Sequence, residues 1–246
     1  MIKTKESISK DVKVDEMVLI PSGTFMMGSL HGSRAEKPIH EVHLDSFYID
    51  IAPVTNAQFA EFVKLTNYTT TAEINKQSNA EKIWKDFANE GREDHPVVLV
   101  SWADASAYAA WIGKRLPTEA EWEKAARGGL LGKSFPWGDN SPNEHATNWN
   151  RIANDLNETP PTTPVRSFSA NGYGLYEMTG NIWEWCSDWY ADDYYSVGPS
   201  VNPLGPEDGT YKVRRGASWN VREDFRLRCA NRGAMSPDKY WTNLGF

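Results

Sequence analysis

Residues 171–189 read NGYGLYEMTGNIWEWCSDW, and the reading of this stretch decides the fold. Breaks at Asn171-Gly172, Gly174 and Gly180-Asn181 rule out a long helix or strand. Tyr173, Leu175, Tyr176, Met178, Ile182, Trp183, Trp185 and Trp189 are too apolar to lie on a surface. The expectation is therefore a buried loop. Buried irregular backbone leaves peptide groups without ladder partners, and side chains, water or an ion must satisfy them. Glu177, Asn181, Glu184 and Asp188 supply oxygens at short spacing. Two readings serve equally at this point: these groups cap turns, or they ligate an oxygen-seeking cation such as Ca2+.

The surrounding chain suits such a loop. Its 246 residues contain 11 Trp, 10 Tyr and 9 Phe, with 18 Gly and 14 Pro interrupting regular structure, so aromatic side chains should hold the core between short elements. Hydrophobic residues at 40% and charged ones at 24% are ordinary for a globular domain. A net charge of -7 offers nothing to nucleic acid or an acidic membrane surface, both of which would repel it. No stretch reaches the roughly 18 apolar residues of a membrane span, and the polar start MIKTKESISKDVKVDE lacks the apolar region of a signal peptide. A cytoplasmic chain is the expectation, with Cys186 and Cys229 reduced.

Residues 1–15 read as a polar lead-in, and the absence of repeats or linkers makes 16–246 one domain. Met17 to Ile20 and Thr24 to Met27, separated by Pro21-Ser22-Gly23, predict a hairpin. In the strand region from His40 to Asp50, Val42 and Leu44 share one face and His43 takes the other. Thr55 with Gln58 and Thr118 with Glu121 form capping boxes, Ser101 caps a third helix, and Gly128-Gly129 ends the one begun at Thr118. Residues 67–92 read as a surface excursion. The alternation of Asp224-Phe-Arg-Leu-Arg-Cys229 predicts a strand with Phe225, Leu227 and Cys229 inward and Asp224, Arg226 and Arg228 outward.

Eight motifs in order, MVLIPSGTFMMG (17–28), PVTN (53–56), VSW (100–102), RLPTEAEW (115–122), FPWGD (135–139), NGYGLY (171–176), GNIWEW (180–185) and RGASW (215–219), resemble the formylglycine-generating enzyme, or sulfatase-modifying factor, family. The resemblance implies an irregular α+β fold related to C-type lectins and poor in regular secondary structure. It also implies dioxygen-dependent oxidation of a substrate cysteine at a copper(I) site held by two cysteines, soft ligands that suit this ion. Here the positions of that pair fall on Val221 and Asp224, and no catalytic residue carries over. Cys229 matches a further, non-catalytic cysteine of the family.

The family's calcium sites carry over more fully. One implied set is Asn148, Trp149, Asn157 and Thr159, with Asp155 competing for the place of Asn157. The other is Glu177, the carbonyls of Gly180 and Ile182, and Glu184, which turns the cation reading of the opening loop into a specific expectation. Trp183 and Ser218 match residues lining the family's substrate and oxygen pocket. With Trp219, Asn220, Arg222, Arg226 and Arg228 they form a candidate face for a peptide or small molecule, extended by Lys239, Tyr240 and Trp241. His31, His40, His43, His95 and His145 are scattered and predict no iron triad. Three functions follow in order: a divergent binding member without copper, a formylglycine-generating oxidase, and a non-haem iron oxygenase.

Overall fold

The last seven residues of the opening stretch form the strand around which the chain assembles. In the computed structural model, which describes residues 16–75, 82–142, 145–146 and 161–246, that strand is Trp183–Trp189. The earlier strands are β1 (Met17–Ile20), β2 (Gly23–Met27), β3 (His40–Leu44) and β4 (Phe47–Asp50), which makes Trp183–Trp189 β5. It is followed by β6 (Lys212–Arg215), β7 (Gly233–Met235) and β8 (Leu244–Gly245). The central sheet has the order β7-β6-β5-β8, with β8 parallel to β5 and the other pairs antiparallel. The irregular backbone expected of residues 171–182 is observed, but Trp183–Trp189 is a strand. Its residues find ladder partners in β6 and β8, which lie 23 or more residues away in the chain and are invisible to local breaks.

Two ribbons flank this sheet, and they correct the expected hairpin. β1 pairs with β4 and β2 with β3, so the turn at Pro21-Ser22-Gly23 joins neighbouring ribbons rather than partners. In β3, Val42 and Leu44 are buried and His43 faces the other way. The α-helices among the described residues are α1 (Asn56–Thr66), α2 (Thr71–Asn75), α3 (Trp102–Trp111), α4 (Glu119–Arg127) and the single turn α5 (Tyr194–Val197). The capping boxes begin them as expected. The Gln58 amide donates to Thr55 Oγ1 at 3.3 Å, and the Glu121 amide to Thr118 Oγ1 at 3.1 Å. Gly128, at φ 57°, closes α4 in the left-handed conformation. Within the expected surface excursion of residues 67–92, Trp84 and Phe87 are instead core, clustering with Phe59 and Phe62 of α1 and Tyr108 of α3. Among the described residues no helix is long and apolar enough to cross a membrane.

β6 separates two chemically distinct sides. Val213 and Arg215 join the cluster of Trp122, Cys186 and Cys229, while Lys212 and Arg214 take the opposite face beside tryptophans. On the first side lies a buried ionic lattice. Arg215, wholly buried, donates to Glu119 Oε1 at 2.7 Å, to Glu123 Oε2 at 2.6 Å and to Tyr195 Oη at 3.1 Å. Arg232 holds both oxygens of Glu119, at 2.7 and 2.8 Å, and Arg127 holds Glu123 at 2.6 Å. Burial opposes ionisation of both carboxyls, but the guanidinium charges prevail: Glu123 is held down to about 2, and Glu119 is lowered as well. These guanidinium partners are what allows α4 to bury Glu119 and Glu123, and removing one member of the set would strand the others without solvent.

Candidate functional site

The oxygens of the opening loop divide between the two roles left open by the sequence. Asn181 pairs with the backbone of Thr163 through both its amide atoms, at 3.1 Å each. Asp188 accepts from the Glu119 amide at 2.9 Å and so closes the start of α4. Both therefore organise turns. Glu177 accepts the amides of Arg166 at 2.7 Å and Phe168 at 3.3 Å. Glu184 differs. It lines a cleft of about 320 Å³, its only hydrogen-bond donor is Trp122 Nε1 at 2.7 Å, and its second oxygen has no donor among the described residues. Desolvation above all, opposed by the Trp122 bond and reinforced by the charge of Glu177, pushes its carboxyl up to about 8. A buried carboxyl, Glu177, and a half-buried one, Glu184, close enough to repel each other and the latter still short of partners, present a hard oxygen environment. Asn148, Trp149, Asn157 and Thr159 lie outside the described residues.

On the other side of β5, Trp183 is brought to Ser218 by a residue the sequence analysis passed over. The Trp183 amide donates to the Asn243 carbonyl at 2.8 Å, and the Asn243 side-chain amide donates to Ser218 Oγ at 3.0 Å and Asn220 Oδ1 at 3.1 Å. Ser218 Oγ donates to Asn220 Oδ1 at 2.8 Å. The Trp219 amide is fixed on the Asn181 carbonyl at 3.0 Å, while its indole Nε1 is buried with no acceptor. Asn243 thus links the backbone of Trp183 to Ser218 and Asn220, and Trp219 lies between those two in the chain. Arg214 was missed although it belongs here. Its guanidinium lies over the Trp183 ring at 4.5 Å and the Trp241 ring at 5.4 Å. The sequence signal was the Arg214-Arg215 pair in a strand, whose neighbours must face opposite ways.

The expected strand from Asp224 to Cys229 is instead a 3-10 turn over Asp224–Leu227, and the correction matters for the site. A helical turn rotates successive side chains by about a third of a circle, so alternation fails. Phe225 is exposed, and Arg228 is turned inward onto Glu36, at 2.6 and 3.0 Å. Arg228 is therefore a structural ion pair and not part of a ligand face. Arg222 and Arg226 stay exposed, Arg226 pairing with Glu223 at 3.2 Å.

No pair of thiols stands at this face. Val221 is packed in the core and Asp224 begins the 3-10 turn. Cys186 and Cys229 are free and buried on the far side of the sheet, around Trp122. Burial pushes the Cys229 thiol up to about 12 and that of Cys186 well above its ordinary value. Burial favours the protonated thiol at both, and both lie behind the sheet, away from Val221 and Asp224 where the family's pair would stand, so the residues present do not fit copper(I) there. Among the described residues no three His, Cys, Asp or Glu side chains gather as a metal-binding group. His40 packs on Tyr195, His95 bonds Thr162 and His145 stacks on Trp137.

The model of the sulfatase-modifying factor enzyme 1-like domain matches residues 4–246. The chain belongs to this family. Among its relatives, the formylglycine-generating enzyme of Streptomyces coelicolor is 40% identical over 275 residues, covering 93% of this chain and 87% of that protein. The inactive C-alpha-formylglycine-generating enzyme 2 of Bos taurus is 37% identical over 273 residues, covering 94% and 86%. The serine/threonine-protein kinase pkn1 of Chlamydia caviae is 40% identical over 250 residues, covering 98% of this chain but 39% of the kinase, so the match spans well under half of that protein. The solved structure of PvdO from Pseudomonas aeruginosa superposes with a TM-score of 0.78 at 29% identity, covering 100% of this chain and 98% of that one. The α+β fold of the sulfatase-modifying factor family is thus that of the chain.

Proposed function

We propose that this chain is a binding member of the sulfatase-modifying factor family that has lost copper-dependent cysteine oxidation. One observation carries the reading. At the positions where the family resemblance places a cysteine pair stand a core valine, Val221, and an aspartate, Asp224, while both remaining thiols lie in the core behind the sheet. A buried thiol held protonated neither grips a soft cation nor attacks. What is left is a half-buried Trp219 and an exposed Asn220 beside the buried Trp183 and Ser218, with polar groups fixed by Asn243, a set that supports binding of a peptide or small molecule. A relative at 37% identity is itself named inactive, which supports loss of chemistry on this scaffold.

A structural Ca2+ belongs to the same proposal. Glu177, Glu184 and the carbonyls of Gly180 and Ile182 would hold it, and the second oxygen of Glu184, which has no donor among the described residues and lies near the charge of Glu177, supports an ion there. The ion would tie the loop at 177–184 to β5 and take no part in chemistry.

The test is direct. The protein is incubated with copper(I), air and a Cys-x-Pro-x-Arg peptide, and the peptide mass is followed. No aldehyde product is expected. Aldehyde that forms and then disappears in Cys229→Ser would return the chain to the oxidases, and stoichiometric iron in the purified protein would make it an iron oxygenase.

A further inference from the structure

Among the described residues, Arg214 is the cation at this face with no carboxylate partner. Its Nε and Nη1 are buried without a hydrogen-bond partner, and no carboxylate pairs with it. Half-buried, it is lowered to about 10 by desolvation, in a chain whose net charge is -7 and whose buried arginines 215, 228 and 232 are each bonded to a glutamate. Two features keep it in place. The guanidinium is stacked on Trp183 at 4.5 Å and on Trp241 at 5.4 Å, and the rings supply partial compensation through their faces. Across the β6–β7 ladder, Gly233 makes the room: a Cβ there would meet Arg214 Cγ and Nε at 3.1 Å and Trp183 Cζ3 at 3.0 Å. Of the three guanidinium nitrogens only Nη2 is left to reach solvent, and it has no partner among the described residues.

An arginine held over two tryptophan rings, with Nη2 open to solvent and no anion among the described residues, can offer that nitrogen to an incoming acceptor in a charge-assisted hydrogen bond. The neighbouring cation on the same strand face, Lys212, does not share the task. It donates to the Ser187 carbonyl at 2.8 Å and sits over the rings of Trp102 and Trp189. One available charge between aromatic walls matches a planar monoanion. A phosphate dianion would bring more charge than a single guanidinium offsets.

We propose that Arg214, whose guanidinium lies over the rings of Trp183 and Trp241, is the specificity residue of this face and binds the carboxylate of a ligand whose flat or apolar body lies on the tryptophans. The inference rests on the reading of the Trp183–Ser218 face as a ligand site and adds the chemistry that the ligand carries.

Benzoate and its neutral isostere benzamide are titrated calorimetrically into the parent protein, Arg214→Gln and Arg214→Lys, with melting temperatures measured alongside. The parent is expected to prefer benzoate by about ten-fold or more, as a charge-assisted hydrogen bond allows. The preference should vanish in Arg214→Gln and persist, weakened, in Arg214→Lys. Without ligand, Arg214→Gln should melt no lower than the parent, because it removes an uncompensated charge. A preference for benzoate that survives in Arg214→Gln, or equal binding of the two probes to the parent, overturns the inference while leaving the face a ligand site. Binding of neither probe to the parent counts against both. A lower melting temperature in Arg214→Gln makes the arginine a structural prop and overturns its assignment as a recognition residue.

Discussion

Arg214 and Arg215 are consecutive in β6, yet one has no acceptor for its guanidinium and the other is bonded to two glutamates. The strand's alternation alone creates the difference by sending Arg215 into the lattice around α4 and Arg214 toward Trp183. Fold and recognition are thereby assigned to opposite sides of one four-residue strand.

The first prediction concerns the inner arginine. Arg215→Met should destabilise the protein by about 3–5 kcal/mol, because Glu119 and Glu123 then lose a shared partner inside the core. Urea unfolding followed by tryptophan fluorescence measures this. A loss below about 1 kcal/mol, the scale of a surface pair, would show that Arg127 and Arg232 carry the lattice unaided.

The second concerns pH. The Glu184 carboxyl is raised to about 8, so its neutral form contributes fully below the ordinary carboxylate range, and that contribution is lost as pH rises through the folded value. Asp188, pushed up to about 7 by burial and by the charge of Glu119, adds to the same decline. Metal-free protein should therefore lose stability from about pH 4 to about pH 8. Glu184→Gln should flatten the upper part of that curve in pH-dependent thermal melts.

The third follows from the proposed ion. Ca2+ needs the ionised carboxylates, so added Ca2+ should raise the melting temperature most at the alkaline end of that range, and chelator should reverse the gain. Glu184→Gln should abolish the response. An identical calcium response in the variant would place the ion elsewhere.

The fourth uses the thiols. Cys186 and Cys229 are buried and held protonated, so neither should react with an aromatic disulfide reagent in native protein. Two equivalents should appear in denaturant. Rapid labelling of the native state would contradict their placement and reopen thiol chemistry.

The fifth tests the junction of α4 with the decisive stretch. A Cβ at Gly172 would meet the Gly128 carbonyl oxygen at 2.3 Å, a backbone contact that no rotamer change relieves. Gly172→Ala should cost about 1–3 kcal/mol, typical of forced overpacking, and thermal unfolding measures it.

The fold was legible where the determinants are local. The boxes at Thr55 and Thr118 and the stop at Gly128 each involve partners within four residues, and all appear. The alternation in β3 was legible for the same reason. What failed depended on distant partners. Trp183–Trp189 became a strand because residues 212–215 and 244–245 supply its ladder. Residues 224–227 became a 3-10 turn although their pattern alternates, because Arg228 is drawn inward by Glu36, 192 residues away in the chain. In the site, Trp183 and Ser218 came from family resemblance. Asn243 and Arg214 did not, since an asparagine near a chain end and one of two adjacent arginines carry no signal until the sheet juxtaposes them.

The parallel pairing of β8 with β5 also sets the order in which this molecule can be built. Leu244 and Gly245 complete the central ladder, and the Phe246 carbonyl accepts the Val54 amide at 2.9 Å, joining positions nearly two hundred residues apart. During synthesis, Trp183 and Trp185 emerge well before the segments that cover them, so the nascent domain carries bare aromatic surface until residues 212–246 leave the ribosome. Closure is then a late, non-local event of the slow kind, and the interval before it is when this chain is most open to aggregation and most in need of a chaperone.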